Sequence, residues 1–235
     1  MTSRAPQSCI VLAGGLGTRL RSVVGDLPKG LAPVGRRTFL ELQIDALLAA
    51  GIDEVILSLG YQADVVVRAL ERTLATRPVR HVIEPSPLGT GGALAHVMDT
   101  LALDEALAAN GDTYLSCDLA GMLAPLQRGR GELFRMATLQ VPDRSRYGGV
   151  RVGAQGQVEG FSEKGTPGPG AISVGFYRLC RESLPAAGSR ACSLETEVLP
   201  ALVARGAVSA LPLQGDFIDI GVPADYHRFC QQYRE

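Results

Sequence analysis

A glycine-rich loop directly follows an apolar run near the start of the chain. The run, Cys9–Ala13, is short and partly β-branched, and Gly14, Gly15 and Gly17 come immediately after it. A run of this kind is typical of a buried strand whose carboxyl end opens into a loop. Because glycine tolerates positive φ and lets backbone N–H groups approach an anion closely, the pattern predicts a phosphate site at the end of this strand.

Two cationic side chains accompany the loop, Arg19 within it and Lys29 ten residues later. Arginine can bind a phosphate through two parallel hydrogen bonds, and lysine acts as a point charge. Two other glycine-rich motifs fit poorly. A dinucleotide fingerprint needs a glycine where Leu20 stands, and a P-loop needs a glycine before the lysine where Pro28 stands. A tight turn with nearby surface charges is an alternative that these residues alone leave open.

These residues resemble the signature of the sugar-1-phosphate nucleotidylyltransferases. The matching segments, in family order, are Gly14–Leu20, Pro28–Lys29 and Pro33–Val34. The resemblance implies a Rossmann-like, three-layer α/β/α nucleotidyltransferase fold with a mixed, mainly parallel central sheet and a small antiparallel sheet on the sugar side. It also implies transfer of a nucleoside monophosphate from a nucleoside triphosphate to a sugar 1-phosphate, with release of pyrophosphate and with Mg²⁺ as cofactor.

Within that signature the resemblance assigns the two cations to different parts of the substrates. Arg19 would bind the β and γ phosphates, and Lys29 would contact the phosphates nearer the reacting centre. Gly30 departs from the family, which usually has proline after this lysine, so we expect a more mobile loop here.

The length and composition fit a single domain, with nucleotide binding mainly in residues 1–112 and sugar-phosphate binding mainly in residues 113–235. A chain of 235 residues with 46% hydrophobic residues can bury a sizeable core. The net charge of −1, without Lys/Arg blocks, argues against non-specific nucleic-acid binding. We expect a cytoplasmic protein, because the N-terminus lacks the apolar core of a signal peptide and no run is long enough to cross a bilayer.

Helices and strands alternate after the first loop. Thr38–Glu41 is a capping box, which predicts a helix that ends near Gly51. The pattern then predicts a strand, a helix and a strand at Glu54–Leu59, Asp64–Leu74 and Val79–Ile83. Alternation predicts parallel pairing, and ligands in parallel sheets bind at the carboxyl ends of strands. We therefore expect the functional loops to lie at one edge of the sheet.

A second glycine-rich loop, Glu84–Ala93, follows the last of these strands. Its prolines stiffen the approach and its glycines open a helix, so the residues themselves leave a plain structural turn open. By resemblance the loop lies against the nucleobase, and Glu84 contacts the base. The nucleotide-binding residues that the resemblance implies are Leu12, Ala13, Gly14, Gly15, Gly17, Thr18, Arg19, Glu84, Gly89, Thr90 and Gly111.

The segment before Asn110-Gly111-Asp112 gives conflicting signals. Leu101–Asn110 is alanine-rich, which favours a helix, whereas in the resembled family a central strand precedes this motif. We take Ala106–Ala109 as a strand buried on both faces. By resemblance Asp112 is a Mg²⁺ ligand. On the residues alone Asn-Gly-Asp is a hairpin turn signal, and that alternative stays open.

Longer β segments follow at Phe134–Val141, Tyr147–Val152 and Gln157–Phe161, and the turn-prone residues between them predict antiparallel pairing. The resemblance implies that the sugar binds here, with Glu163 at sugar hydroxyls and Lys164 at the sugar phosphate. A lone Glu-Lys pair is usually a solvated turn. The sugar-phosphate-binding residues that the resemblance implies are Lys29, Tyr147, Gly148, Glu163, Lys164, Ser173 and Gly175.

The last part of the chain predicts a helix over Leu194–Arg205, begun by Ser193, and a strand over Val208–Leu213. The closing segment Phe217–Tyr226 resembles the last motif of the family, which makes Asp219 the second Mg²⁺ carboxylate by resemblance. The departures from the family in this half are Ser173 for asparagine and Val222 for threonine.

By resemblance the catalytic residues are Arg19, Lys29, Asp112, Lys164 and Asp219. The three histidines and five cysteines show no zinc-ligand spacing, and we expect reduced thiols without an assigned role. A sugar phosphate is largely dianionic at neutral pH, because its second pKa is ~6. The expected reaction therefore needs no general base, and its main obstacle is repulsion between anions.

Three segments, Arg21–Val34, Glu84–Leu94 and Asn110–Leu115, are most similar to D-glycero-D-manno-heptose 1-phosphate guanylyltransferases. This implies GTP and heptose 1-phosphate as small-molecule substrates and GDP-heptose, a precursor of surface polysaccharides, as product. Four alternatives stay open: a mannose-1-phosphate guanylyltransferase, a sugar-1-phosphate uridylyltransferase, a nicotinamide-dependent dehydrogenase and a non-catalytic nucleotide-sugar-binding regulator. The sequence does not decide between a monomer and a homodimer.

Overall fold

The computed structural model describes residues 7–15, 17, 20–186 and 190–233. The chain forms two compact units. The first is built from the described residues of segments 1–87, 109–117 and 215–235, and the second from those of 88–108 and 118–214. The chain thus passes between the units four times, and neither unit is a continuous stretch. The expectation of one domain with a boundary at residue 112 stays a prediction.

The first unit is built on three parallel strands in the order β1-β4-β5. Cys9 pairs with Val55, and Val55 in turn pairs with Val79. Its elements are β1 (Ser8–Leu12), α1 (Arg21–Val24), a 3₁₀ turn (Lys29–Leu31), β2 (Pro33–Val34), β3 (Arg37–Thr38), α2 (Phe39–Ala49), β4 (Glu54–Leu59), α3 (Ala63–Ala69), α4 (Glu71–Thr76), β5 (Val79–Ile83), β7 (Thr113–Cys117), β13 (Gly215–Asp219) and α8 (Pro223–Gln232). A further strand, β6 (Glu105–Asn110), begins in the second unit and ends in the first.

Helix α2 begins at the predicted capping box. The Thr38 hydroxyl accepts a hydrogen bond from the Glu41 N–H, and the Glu41 carboxylate accepts one from the Thr38 N–H. Two donors that the helix start leaves unpaired are thereby satisfied. The helix contributes Phe39 to a core that also contains residues of α8 and β13, and the Phe39 and Phe229 rings meet edge to face at 5.1 Å.

The second unit is mainly antiparallel. Strand β11 pairs with β8 on one side and β9 on the other, β9 pairs with β10, and β12 adds to β8 in parallel. Its elements are α5 (Gly89–Thr100), α6 (Ala120–Leu123), a 3₁₀ turn (Arg128–Arg130), β8 (Phe134–Val141), β9 (Gly149–Val152), β10 (Val158–Ser162), β11 (Gly170–Cys180), a second 3₁₀ turn (Arg181–Ser183), a π-helix (Leu194–Val198), α7 (Leu199–Ala204) and β12 (Val208–Pro212). The expected antiparallel pairing is confirmed for β9 with β10, whereas β8 and β9 each pair antiparallel with β11 instead of with each other.

Two predicted helices differ from the structure. The helix predicted over Asp64–Leu74 is two helices, because Leu70 leaves helical geometry at φ −100° and ψ 11° while its side chain is fully buried. The helix predicted over Leu194–Arg205 begins as a π-helix. Pro200 has no N–H to donate and its ring would collide with the preceding turn, so the first turn widens: Val198 N–H donates to Ser193 O, five residues earlier.

The predicted fold class is confirmed: a mixed central sheet carries helices and is accompanied by small antiparallel sheets. Ala106–Ala109 is a strand, as expected, although its alanines favour a helix.

In the part of the chain that the structure describes, no helix has the length and apolar character needed to span a membrane.

Candidate active site

The carboxyl ends of β1 and β4 lie so close together that only glycine fits at position 14. A Cβ atom there would lie 2.8 Å from Glu84 Oε1 and 2.9 Å from the Gly60 nitrogen. The Tyr61 N–H donates to Gly14 O at 3.2 Å, which fastens the two strand ends to each other. The expected clustering of loops at the carboxyl edge of the parallel strands is therefore found within the first unit. Gly60 belongs to this cluster and was not predicted as a site residue from the sequence.

Lys29 is placed by the glycine loop. Gly17 has φ +58°, and a Cβ at this position would lie 2.9 Å from Lys29 Cβ. A glycine is thus required here both by the backbone conformation and by the close approach of the lysine stem. Leu16, Thr18 and Arg19 lie outside the described residues, so the expected phosphate contacts of Thr18 and Arg19 stay predictions.

The lysine forms an ion pair with the carboxylate that the resemblance made a metal ligand. Lys29 Nζ lies 2.5 Å from Asp112 Oδ2, and the two side chains are 13% and 30% exposed. A partly buried pair of this kind holds both charges in place. The turn that carries Asp112 is fastened at its backbone, since Gly111 N–H donates to Leu12 O at 3.1 Å and Ile220 N–H donates to Asp112 O at 2.9 Å.

Asp219 lies beside the same lysine. It ends β13, where it pairs with Thr113 of β7, the residue that follows Asp112. Its Oδ1 accepts the Gly221 N–H at 2.7 Å. A Cβ at position 221 would lie 2.6 Å from this oxygen and 3.0 Å from Lys29 Nζ. The structure therefore brings Lys29, Asp112 and Asp219 together in one unit, with Gly221 leaving the room for them.

The chemistry of this cluster fits Mg²⁺. Mg²⁺ prefers oxygen ligands and is commonly held by one or two carboxylates together with substrate phosphates and water. Asp112 and Asp219 supply two carboxylates next to a cation that can pair with phosphate. Among the described residues no group of three or more His, Cys, Asp or Glu side chains is placed to hold a metal ion. A metal here would thus need substrate oxygens to complete its ligands.

The two residues expected in the base-side helix start contact another part of the second unit. The Thr90 hydroxyl donates to Glu195 Oε2 at 2.7 Å and accepts the Leu194 N–H at 2.8 Å. A Cβ at Gly89, which has φ +69°, would lie 2.6 Å from Cys192 O. These contacts fasten the start of α5 to the first residues of the π-helix and to Cys192 just before it. A role of Gly89 and Thr90 in nucleotide binding stays a prediction.

Four of the residues expected on the sugar side, Tyr147, Gly148, Glu163 and Lys164, lie in two adjacent loops of the second unit. Gly165 N–H donates to Ser145 O at 2.9 Å, which joins the turn that carries Glu163 and Lys164 to the turn before Tyr147. Glu163 and Lys164 are exposed, and Tyr147 is half-buried. The Arg146 guanidinium lies 5.7 Å from the centre of the Tyr147 ring.

Ser173 and Gly175 form an irregular step in β11. The pairing of β11 with β8 shifts between Ser173 and Tyr177, and Gly175 has φ +67°. The Ser173 hydroxyl accepts the Gly175 N–H at 3.3 Å and donates to the Tyr177 hydroxyl at 3.3 Å. Such bulges re-aim side chains next to functional sites. Contact of Ser173 with a sugar stays a prediction.

Cys9 is the cysteine nearest the glycine loop in sequence. It is fully buried in β1, and burial raises the pKa of its thiol far above the ordinary value. A thiol held in the neutral form is a poor nucleophile, so Cys9 acts here as a core residue. All five cysteines are free.

A glycine-rich strand end with a lysine and two carboxylates beside it forms a polar cluster whose groups suit a phosphate-containing ligand. Comparison with known proteins specifies the class. Residues 8–235 match the family described as nucleotidyl transferase, and the chain belongs to that family.

Several characterised proteins are similar to most of the chain. A D-glycero-alpha-D-manno-heptose 1-phosphate guanylyltransferase of Campylobacter jejuni is 34% identical, with 94% of this chain and 97% of the relative covered. The protein of that name from Aneurinibacillus thermoaerophilus is also 34% identical, over 93% of this chain and 95% of the relative. HddC from Yersinia pseudotuberculosis is 31% identical in sequence to this chain. Its crystal structure, complexed with GMP-PN, matches the fold with a TM-score of 0.85 and covers 97% of this chain and 100% of that one.

A mannose-1-phosphate guanyltransferase of Schizosaccharomyces pombe is 32% identical over 92% of this chain, but the chain spans only 61% of its length. The similar relatives are therefore named for the transfer of a guanylyl group to two different sugar phosphates.

Proposed function

We propose that this enzyme is a sugar-1-phosphate guanylyltransferase that joins GTP to D-glycero-alpha-D-manno-heptose 1-phosphate, giving GDP-heptose and pyrophosphate. Relatives named for this reaction match the chain over nearly their whole lengths. The observation that carries the proposal is the ion pair of Lys29 with Asp112, with the Asp219 carboxylate near the same lysine, beside the glycine loop. The mannose-1-phosphate reaction is the second candidate, because relatives named for it are about as similar.

The proposed mechanism requires charge compensation and alignment. A sugar 1-phosphate is largely dianionic at neutral pH and is its own nucleophile, so no residue has to remove a proton. Lys29 would neutralise phosphate oxygens near the α phosphate, and Arg19 would stabilise the leaving pyrophosphate. Lys164 would bind the sugar phosphate, and Glu163 would bind sugar hydroxyls. The glycines at the strand ends let backbone N–H groups approach the triphosphate.

Asp112 and Asp219 would hold Mg²⁺, which when bound offsets the negative charge that builds up on the phosphates. Glu84 would contact the base. Its carboxylate could accept both N–H donors on the pairing edge of guanine, whereas a pyrimidine such as uracil offers one donor between two carbonyls. This argument supports GTP only weakly, since a carboxylate can also accept the single donor of uracil.

A substrate competition tests the proposal. The nucleotide-sugar products are separated and quantified after reaction with Mg²⁺ and equal amounts of GTP, UTP, ATP, CTP and dTTP, with heptose 1-phosphate and mannose 1-phosphate each supplied separately. We expect GTP with heptose 1-phosphate to react fastest. Typical pocket contacts discriminate by ~1–3 kcal/mol per group, which corresponds to a rate ratio of about 5- to 160-fold between the two sugars.

Each other result excludes a part of the proposal. A preference for UTP would refute the guanylyl assignment, and equal rates with the two sugars would refute the heptose assignment. Nucleotide-sugar binding without any turnover would favour the alternative of a non-catalytic regulator. Binding of NAD(H) would favour the alternative of a dehydrogenase.

A further inference from the structure

Gln43 of α2 is a buried amide that contacts the turn carrying Asp112 at two points. Its Nε2 donates to Asn110 O at 2.8 Å and to Thr113 O at 2.7 Å, and the residue is only 2% exposed. These two carbonyls bracket the Gly111–Asp112 pair. The side chain therefore spans the turn on both sides of Asp112.

The other fastenings of this turn are backbone contacts. Gly111 N–H donates to Leu12 O, and Ile220 N–H donates to Asp112 O. Position 111 also has to be glycine, because a Cβ there would collide with the Leu12 carbonyl. Gln43 thus adds a side-chain clamp to a turn that already lies in close contact with β1.

The amide oxygen of Gln43, Oε1, indicates the role of the side chain. Gln43 Oε1 is buried and accepts no hydrogen bond from any residue that the structure describes. An acceptor left without a donor in the interior costs stability, and an apolar side chain of similar size would avoid that cost. The orientation of the amide follows from chemistry, since the opposite orientation would face Oε1 toward two carbonyl oxygens. The amide is therefore explained by its two N–H donors and not by packing.

We propose that Gln43 is a positioning residue, which holds the Asn110–Thr113 turn so that the Asp112 carboxylate stays beside Lys29. This rests on the proposed function for the part that concerns turnover, because Asp112 acts there on the bound nucleotide. Its effect on the turn itself does not depend on the reaction. Gln43 would act only through Asp112 and would not touch the substrates.

The test compares Gln43→Met, which keeps the size and removes both donors, with Gln43→Asn, which keeps the amide but is one methylene shorter. Ile44→Val is the matched control, because Ile44 is the next residue of α2 and is fully buried. Hydrogen exchange is followed in a peptide covering residues 105–117. We expect the Gly111 and Thr113 amides to exchange at least about 10-fold faster in Gln43→Met, less so in Gln43→Asn, and at the unchanged rate in Ile44→Val.

Kinetics with GTP and heptose 1-phosphate give the second readout. In Gln43→Met we expect kcat to fall about 10- to 100-fold and the KM for GTP to change by less than about threefold, because the glycine loop that binds the nucleotide is untouched. Ile44→Val lowers Tm and leaves kcat unchanged. If Gln43 only stabilised the fold, Gln43→Met and Ile44→Val would have the same kcat whenever they lowered Tm equally.

The outcomes separate the two proposals. Unchanged exchange at the turn in Gln43→Met and Gln43→Asn would overturn the clamp. Faster exchange with a normal kcat would overturn the positioning role of Gln43 in turnover and leave only its contact with the turn. The role of Asp112 in the proposed function is tested separately by the turnover of Asp112→Asn. If Gln43→Met does not fold, the exchange and kcat of Gln43→Asn decide in the same way.

Discussion

Lys29 Nζ lies 2.5 Å from Asp112 Oδ2, although 83 residues separate the two in the chain. Asp219 also lies near this cation, because Asp219 Oδ1 and Lys29 Nζ would lie 2.6 Å and 3.0 Å from a Cβ atom at Gly221. The lysine compensates the charge of Asp112. In the proposed function, a nucleotide that brings Mg²⁺ and phosphate would offer each of these groups a new partner.

Asp112→Asn and Asp219→Asn should each reduce turnover by at least ~100-fold, because each removes a negative charge from the proposed metal site. The fold should remain intact, since both side chains lie in a polar cluster and asparagine has nearly the same shape. Steady-state pyrophosphate release and Tm give the two measurements. Asp64→Asn is the matched control, as Asp64 forms an exposed ion pair with Arg68. Near-normal turnover in either site variant would refute the two-carboxylate assignment.

Gly221→Ala tests the space beside Lys29. Position 221 lies outside the positive-φ region, so alanine is compatible with its backbone, but the new methyl group would press on Asp219 Oδ1 at 2.6 Å and on Lys29 Nζ at 3.0 Å. We expect kcat to fall by about 10-fold or more with a small change in Tm. Gly129→Ala is the control, because a Cβ there meets nothing within 4 Å. A fall in Tm without a loss of kcat would show that Gly221 serves packing alone.

Glu132 should make the second unit sensitive to acid. Burial by itself raises the pKa of its carboxyl, but hydrogen bonds from the Arg135 guanidinium, the Gln127 N–H and the Ser209 hydroxyl outweigh burial and lower that pKa below its ordinary 4.5. A carboxyl whose pKa is lower in the folded than in the unfolded state stabilises the fold above the unfolded value. This stabilisation is lost as the pH falls through the folded value.

Glu132→Gln should therefore lower the free energy of unfolding by about 3 kcal/mol at pH 7, because it removes the carboxylate that balances the buried Arg135 charge and leaves the guanidinium with uncharged acceptors such as backbone carbonyls. Urea unfolding at several pH values gives the measurement, and the difference from the unmodified protein should shrink as the pH falls below about 4.5. The same substitution at Glu182, whose ion pair with Arg128 is exposed, should have little effect. A difference that does not change with pH would contradict the charge-based explanation.

Local sequence patterns predicted most of the elements. The strands at β4, β5 and β8 have the predicted bounds, and α2 begins at the predicted capping box. Alternation, capping and turn signals act between residues a few positions apart, so a sequence contains them directly. The break at Leu70 was not predicted, because it depends on a side chain that packs into the core.

Burial also decided the structure of the alanine-rich segment before Asn110. Its propensity favours a helix, yet it forms β6, and Ala106 to Ala109 are buried. The resemblance to a known family supplied the correct prediction here, and the residues alone did not. Intrinsic propensities differ by less than the free energy that a strand gains from a place in a sheet.

The sequence by itself determined where glycine has to stand, at Gly14 and Gly17, and that charged residues follow it. Only the tertiary structure decided that Lys29 lies near Asp112 and Asp219, and that Gln43 donates to the Asn110 and Thr113 carbonyls on either side of Asp112. The physical reason is that these contacts join residues far apart in the chain. Their distances are set by the packing of α2 on β7 and by the pairing of β7 with β13, neither of which is encoded by any local pattern.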